Sequence, residues 1–289
     1  MMRSNPRSTP PRTSALRAGL SFREHGAWII EDNVLTIIQA RKGSTRLASK
    51  VLLDLEGKTV LEHVIHRLQL SKLTTRLVVA TTIDKEDLPI VRLCADLGVS
   101  VYCGCEAPLD RYHEAAGLFG GSHIVRIKAD CPLIDPEIVD ETIRLHLESG
   151  ADYTTNTVRR TYPVGQDVEI LTHRTLTKVW RSASLLSERE HITLYIPKNP
   201  DAFHILHVAY AENLSARRWT MDYPEDYELL RVIFKNLYPR NPAFGMNDVL
   251  DFLSKNPELE SINAHIDFDA GVKKSLREDR IVPLPKEAG

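Results

Sequence analysis

Cysteine is scarce, and the few present follow no pairing pattern. The 289-residue chain has four, Cys94, Cys103, Cys105 and Cys131, none spaced as C-x-x-C. That excludes a disulfide scaffold and argues against a thiolate metal site, so they read as reduced thiols of a cytoplasmic protein. No apolar run approaches the roughly 18 residues that a membrane-spanning helix needs, so a membrane is not an expected partner. Two common phosphate-binding signatures, G-x-x-x-x-G-K-[ST] and G-x-G-x-x-G, are both missing. There is no internal repeat. A basic excess is also lacking, because the formal net charge is −2. Five arginines fall within residues 1–23 without one acid, which leaves 32 basic against 39 acidic residues in the remainder. So acidic a body is a poor nonspecific nucleic-acid binder, and any anionic ligand has to be held by a local basic site.

What is present is ordinary for a globular protein. Hydrophobic residues make up 43% and charged residues 26%, enough to bury a full core. Residues 1–30 read as a disordered N-terminal tail rich in Arg, Ser, Thr and Pro. Pro6, Pro10 and Pro11 discourage the amphipathic helix of a transit peptide. Residues 31–240 read as the working domain. Residues 241–289 read as a helical extension that packs on that domain or on a dimer partner.

Within the domain, apolar runs at 34–40, 76–82, 99–103 and 123–128 read as buried strands. Helical periodicity follows each, at 59–70, 86–97, 109–119 and 136–147. Such alternation implies parallel β-α-β units, a mostly parallel sheet with helices on both faces. Strands are expected again at 152–155, 167–171, 204–208 and 218–221, and helices at 172–182, 188–197, 225–237 and 247–254. Ser187 and Glu190 resemble a capping box. His63 and His66 are expected on a helix surface.

In an open α/β sheet, ligands bind at the carboxyl ends of the strands. After the first strand comes Gln39-Ala-Arg-Lys-Gly-Ser-Thr-Arg-Leu-Ala-Ser-Lys50, with Arg41, Lys42, Arg46 and Lys50 around Gly43 and Ser44. Those cations and the glycine suit a phosphate chain; the plain alternative is a solvated basic loop. After the fourth strand comes Asp130-Cys-Pro-Leu-Ile-Asp135. An acid in that place can hold a hard cation, and Asp135, just before Pro136, fits a helix N-cap better. Asp222 repeats the pattern far along the chain, and two carboxylates with a triphosphate and Mg²⁺ make a nucleotidyl-transfer site. His191 reads equally as a ligand-facing donor or as a structural histidine.

These motifs together resemble the SpsF-like cytidylyltransferases, named for spore-coat polysaccharide biosynthesis protein F and related to acylneuraminate and 3-deoxy-manno-octulosonate cytidylyltransferases. The resemblance rests on Gln39-Ala-Arg-x-Gly-Ser-Thr-Arg-Leu47, Lys50-Val-Leu, Val79-Ala-Thr-Thr82, Leu109-Asp-Arg-Tyr112, Asp130-Cys-Pro-Leu-Ile-Asp-Pro-Glu-Ile138, Gly165-x-Asp-Val-Glu169, Ser187-Glu-Arg-Glu-His191 and Asp222-Tyr-Pro-Glu-Asp226, in family order. It implies a Rossmann-like nucleotidyltransferase fold and CMP transfer from CTP to an acidic sugar, with Mg²⁺ on Asp130 and Asp222. Arg41, Ser44, Arg46 and Lys50 would hold the triphosphate. Gln39, Gly43, Thr81, Thr82, Asp110 and Arg111 would lie near the nucleotide. Tyr162, Gln166, Asp167, Glu169, Arg189 and His191 would face the acceptor. A homodimer is expected by analogy. The chain departs from the family at Leu47-Ala-Ser-Lys50, where Leu-Pro-Gly-Lys is usual, at Ala129, where glycine is usual, and at Gln166, where leucine is usual. Two other readings compete: a glycosyltransferase, whose Asp-x-Asp occurs here only as Asp267-Phe-Asp269, and a non-catalytic nucleotide-binding module.

Overall fold

The computed structural model describes residues 20–22, 28–30, 33–43, 46–267 and 269–284. Most of the expected tail, and Ser44 of the basic loop, lie outside the described residues. Inside the tail, β1 (Leu20–Phe22) pairs antiparallel with β2 (Trp28–Ile30).

The domain opens with β3 (Val34–Gln39), whose side chains alternate between two core layers. A short ribbon of β4 (Asp54–Leu55) and β5 (Lys58–Thr59) precedes α1 (Val60–Gln69), which Thr59 caps by accepting from the Glu62 N–H at 3.2 Å. Then follow β6 (Arg76–Thr82), α2 (Leu88–Asp96), β7 (Ser100–Gly104), α3 (Pro108–Phe119), β8 (His123–Lys128) and α4 (Pro136–Ser149). Asp135 caps α4 by accepting from the Glu137 N–H at 2.9 Å, as its place before Pro136 predicts. The second half holds β9 (Tyr153–Thr155), β10 (Glu169–Thr172), α5 (His173–Ser182), α6 (Leu186–Glu190), α7 (Tyr195–Lys198), β11 (Ile205–His207) and α8 (Pro224–Leu237). Beyond it lie α9 (Met246–Ser254) and α10 (Ala270–Arg277).

Seven strands form one sheet in the order β11-β9-β10-β8-β3-β6-β7. Every neighbouring pair is parallel except those of β10, which runs antiparallel to both β8 and β9. One face packs Val34, Ile38 and Ala40 against α1, α2, α4, α8 and α9; the other packs Leu35 and Ile37 against α3, α5 and the 192–203 segment. The mostly parallel sheet with helices on both faces is therefore as expected.

Four local expectations need correction. Residues 218–221 make a single bridge, Arg218 to Val164, because the Trp219 N–H binds Val164 while the Met221 N–H has already turned to Asp130. The helix expected at 188–197 is two short ones. His191 leaves helical geometry at φ −107°, and the Thr193 hydroxyl donates to the buried Glu169 at 2.6 Å. Ser187 does not cap α6; it sits inside the helix, where its hydroxyl donates to Asp279 at 2.7 Å. His63 is buried, not on the surface: Nε2–H donates to the Leu55 carbonyl at 2.7 Å and the ring packs on Phe234.

Candidate active site

The loop after β3 ends in a 3₁₀ turn, Lys50–Leu52, with Val51 sunk in the core. Ser49, immediately before it, takes left-handed backbone at φ 52°. The resemblance puts glycine here, and serine in this left-handed conformation bears the strain of a side chain. Anchored in this way, Lys50 stands over the carboxyl ends of the strands. Its ammonium donates to Asp130 and, at 2.5 Å, to Asp222. Arg46 donates to the same Asp222 oxygen at 2.7 Å. Burial alone would lower the pKa of Lys50, but the two carboxylates outweigh it and the ammonium is held more firmly charged. Burial opposes ionisation of Asp222 too, and Lys50 and Arg46 reverse that and hold its carboxyl well below the usual range.

Asp130 and Asp222 are 92 residues apart in sequence and meet because their backbones are joined. The Met221 N–H donates to the Asp130 carbonyl at 2.8 Å, and the Thr220 hydroxyl to the same oxygen at 3.2 Å. Behind Asp222 lies a buried support that residue types alone do not reveal. Asp226 is fully buried and takes a two-pronged contact from Arg218, at 2.8 and 2.9 Å. It also accepts from the backbone N–H groups of Asp222 (2.9 Å) and Tyr223 (3.0 Å) and from the Asn263 amide (2.9 Å). Gly165 packs so closely on this strap that an added Cβ would stand 2.7 Å from the Trp219 carbonyl carbon.

The nucleotide candidates divide. Thr81 and Thr82, at the end of β6, spend their hydroxyls on Asp87, at 2.9 and 2.6 Å. Asp87 in turn accepts from the Lys42 N–H at 2.7 Å. The threonines therefore brace the basic loop through Asp87, which sequence reasoning missed. Gln39 stands at the end of β3, Gly43 is exposed, and Arg41 pairs with Glu106 at 3.2 Å. Arg111 is fully buried, with one nitrogen on the Cys105 carbonyl at 2.9 Å and no partner for Nε or its other terminal nitrogen among the described residues. Asp110 is turned away toward α5 and α6, where it accepts from Arg189 and, at 2.7 Å, from the Trp180 indole.

Around the residues expected to face an acceptor, β8 and β10 bring opposite charges together. Glu169 meets Arg126, the Tyr153 hydroxyl and Thr193. Asp167 lies between Lys128 (2.8 Å) and Arg160 (2.5 Å). Burial would push the Asp167 carboxyl up, but those two cations hold it far below its usual range. Lys128 and Arg160 carry no distinguishing sequence signal beyond their nearness to Asp130 and Asp167. Tyr162 is buried against Tyr210. Gln166 uses its amide on backbone, donating to the Leu133 carbonyl at 2.6 Å and accepting from the Asp135 N–H at 2.9 Å. His191 stands two residues before Thr193, whose hydroxyl donates to Glu169 at 2.6 Å, and its Nε2 lies 3.0 Å from the Ser275 hydroxyl.

The donor chemistry at the strand ends fits a hard divalent cation. Two carboxylates already converge on one positive charge, and oxygen is the donor that Mg²⁺ prefers. No set of three or more His, Cys, Asp or Glu gathers among the described residues. A cation there would complete its shell with water and phosphate oxygens, as Mg²⁺ does in nucleotide sites. No helix among the described residues is long and apolar enough to cross a membrane.

The cytidylyltransferase family model matches residues 35–241. An uncharacterised protein of Methanocaldococcus jannaschii is 37% identical over 236 residues, covering 81% of this chain and 95% of that one. Spore coat polysaccharide biosynthesis protein SpsF of Bacillus subtilis is 33% identical over 236 residues, covering 78% of this chain and 96% of that one. A solved cytidylyltransferase from Leptospira borgpetersenii superposes with a TM-score of 0.76 at 34% identity, covering 82% of this chain and 99% of that one. The chain belongs to the cytidylyltransferase family and is a nucleotidyltransferase.

Proposed function

We propose that this enzyme transfers CMP from CTP to a sugar bearing a carboxylate, with Mg²⁺, and releases pyrophosphate in the making of a surface polysaccharide. The observation that carries the reading is the convergence of Asp130, Asp222, Lys50 and Arg46 at the mouth of a basic loop. An acceptor hydroxyl attacks the α-phosphorus, the bond from that phosphorus to the bridging oxygen breaks, and the hydroxyl proton leaves to solvent. Asp130 and Asp222 would hold Mg²⁺, which when bound would supply Lewis-acid stabilisation of the phosphate charge. Lys50 and Arg46 offset negative charge that grows on the phosphate and the departing pyrophosphate. No side chain has to serve as a covalent nucleophile.

The acceptor cluster supports an acidic partner. Among the described residues Arg126 pairs with Glu169, while Lys128 and Arg160 share Asp167, with Asp130 also acting on Lys128. Two cations sharing one carboxylate have donors to spare, and a carboxylate on the sugar would be a further partner for them. Among the relatives, 3-deoxy-manno-octulosonate cytidylyltransferase of Geobacter sulfurreducens is 36% identical over 122 residues, covering 41% of this chain and 47% of that one. The Asp-x-Asp of the glycosyltransferase reading is not at the strand ends: Asp267 forms an ion pair with Lys273 at 2.6 Å, about half exposed. By analogy the working unit is a homodimer in the cytoplasm; light scattering that finds a monomer at micromolar concentration removes the dimer.

The test is pyrophosphate release with Mg²⁺, each nucleoside triphosphate and a panel of sugar acids and their neutral counterparts. Release with CTP and an acid alone is expected. Release with a neutral sugar, or with another triphosphate in preference, overturns the assignment.

A further inference from the structure

The family match ends at residue 241, yet the chain returns to the acceptor side after that point. From α10 onward it lies against α6. The Asp279 carboxylate accepts from the Ser187 N–H (3.0 Å) and hydroxyl (2.7 Å), and the Arg280 carbonyl accepts from the Leu186 N–H at 2.9 Å. The Val282 N–H donates to the Ser184 carbonyl at 2.8 Å. At the centre of this seam is Ser275, 9% exposed. Its hydroxyl lies 2.7 Å from Glu190 Oε2, 3.2 Å from the Gly271 carbonyl and 3.0 Å from His191 Nε2.

Proton counting settles which atom carries the hydrogen. A serine hydroxyl donates once. The Glu190 carboxylate and the Gly271 carbonyl only accept. If Ser275 donated to His191, its oxygen would face a carboxylate at 2.7 Å with no hydrogen between them. Ser275 therefore donates to Glu190 and accepts from His191, so Nε2 bears the hydrogen. In the neutral ring the other nitrogen, Nδ1, is then an acceptor, and no described residue bonds it. Burial favours the neutral ring.

We infer that the C-terminal segment completes the acceptor site, with Ser275 as a positioning residue that locks His191 in its Nε2–H form and so presents Nδ1 to a hydroxyl of the sugar. This rests on the CMP-transfer reading for the identity of the ligand, but the tautomer itself does not.

Two measurements on the full-length protein test it. The first is the two-bond ¹⁵N–¹H NMR pattern of histidine, with His191 assigned by its loss in His191→Gln. Wild type should show the Nε2–H form; Ser275→Ala should lose that single form, and Ser275→Thr, which keeps the hydroxyl, should restore it. A wild-type His191 protonated on Nδ1, or one unchanged by Ser275→Ala, overturns the inference. The second is kinetics with the sugar acid identified by the panel above. Ser275→Ala should raise KM for the acceptor about three- to tenfold, the worth of one neutral hydrogen bond, with KM for CTP unchanged. An equal change in both, or none, overturns the role in the acceptor site. The NMR result requires no turnover, so failure of the transfer reading and failure of the tautomer lock are read separately.

Discussion

Asp226→Asn is the perturbation in which the structure makes its most quantitative demand. Asp226 is fully buried and the Arg218 side chain is 5% exposed. The carboxylate meets five donor groups: two guanidinium nitrogens, two backbone N–H groups and the Asn263 amide. Asparagine keeps the shape but removes the charge and turns one oxygen into a donor facing donors. Arg218 is then left with only Asp222, at 3.4 Å. Removing one partner of a buried pair costs about 3–5 kcal/mol when the survivor is left uncompensated, and the long contact to Asp222 offsets only part of that. At roughly 2–4 °C per kcal/mol for a large domain, Tm should fall by about 6–20 °C. Urea unfolding gives the free energy directly, with m unchanged if only the native state is affected. The reasoning also requires coupling. In Arg218→Met/Asp226→Asn the stranded charge is gone, so the double variant should be at least about 1 kcal/mol more stable than the two single losses predict. A single variant within about 1 kcal/mol of wild type, or strictly additive losses, would refute the argument.

Two further predictions concern the same scaffold. Burial holds the His63 ring neutral, lowering its pKa from 6.5 to about 4 against the smaller opposing pull of the Leu55 carbonyl. The unfolded chain therefore binds the proton first, and stability should drop as pH falls from 6.5 toward 4, by about 3 kcal/mol from this group. Urea titrations at several pH values should show a slope that His63→Phe flattens; equal slopes would dismiss the assignment. Gly165 holds φ +110° against the Trp219 backbone. Gly165→Ala should cost at least about 2 kcal/mol and lower turnover by shifting the strap that carries Asp222, and wild-type stability there would show that the close approach is not real.

Much of this was legible in the sequence, for identifiable reasons. The first four expected strands, now β3, β6, β7 and β8, read as apolar runs with helical periodicity between them, and each appears within a residue or two of its expected bounds. Asp130, Asp222, Lys50 and Arg46 stand out because charged residues just beyond apolar strands have few structural reasons to be there. Strand direction was not legible. The Glu169–Thr172 segment is as buried as a parallel strand, and nothing in its composition records that it runs the other way. Neither were the residues that act through others. Asp87 reads as an ordinary acid at a helix start, and only the fold shows it gathering Thr81, Thr82 and the Lys42 backbone. Ser49 shows the opposite limit. A serine in a glycine's place does not announce left-handed backbone, yet Ser49 adopts it, just before the buried Val51.

We propose that Asp130 and Asp222 form one cation-binding pair at the reacting phosphate, and Asp130→Asn is the substitution that probes it. The measurement is pyrophosphate release from CTP with the identified acceptor and saturating Mg²⁺, on variant protein whose urea midpoint matches wild type. A fall in kcat of at least about 100-fold is expected, the scale for losing one preorganised group that stabilises charge in a transition state. Turnover within about twofold of wild type would contradict it and move the chemistry elsewhere on the sheet.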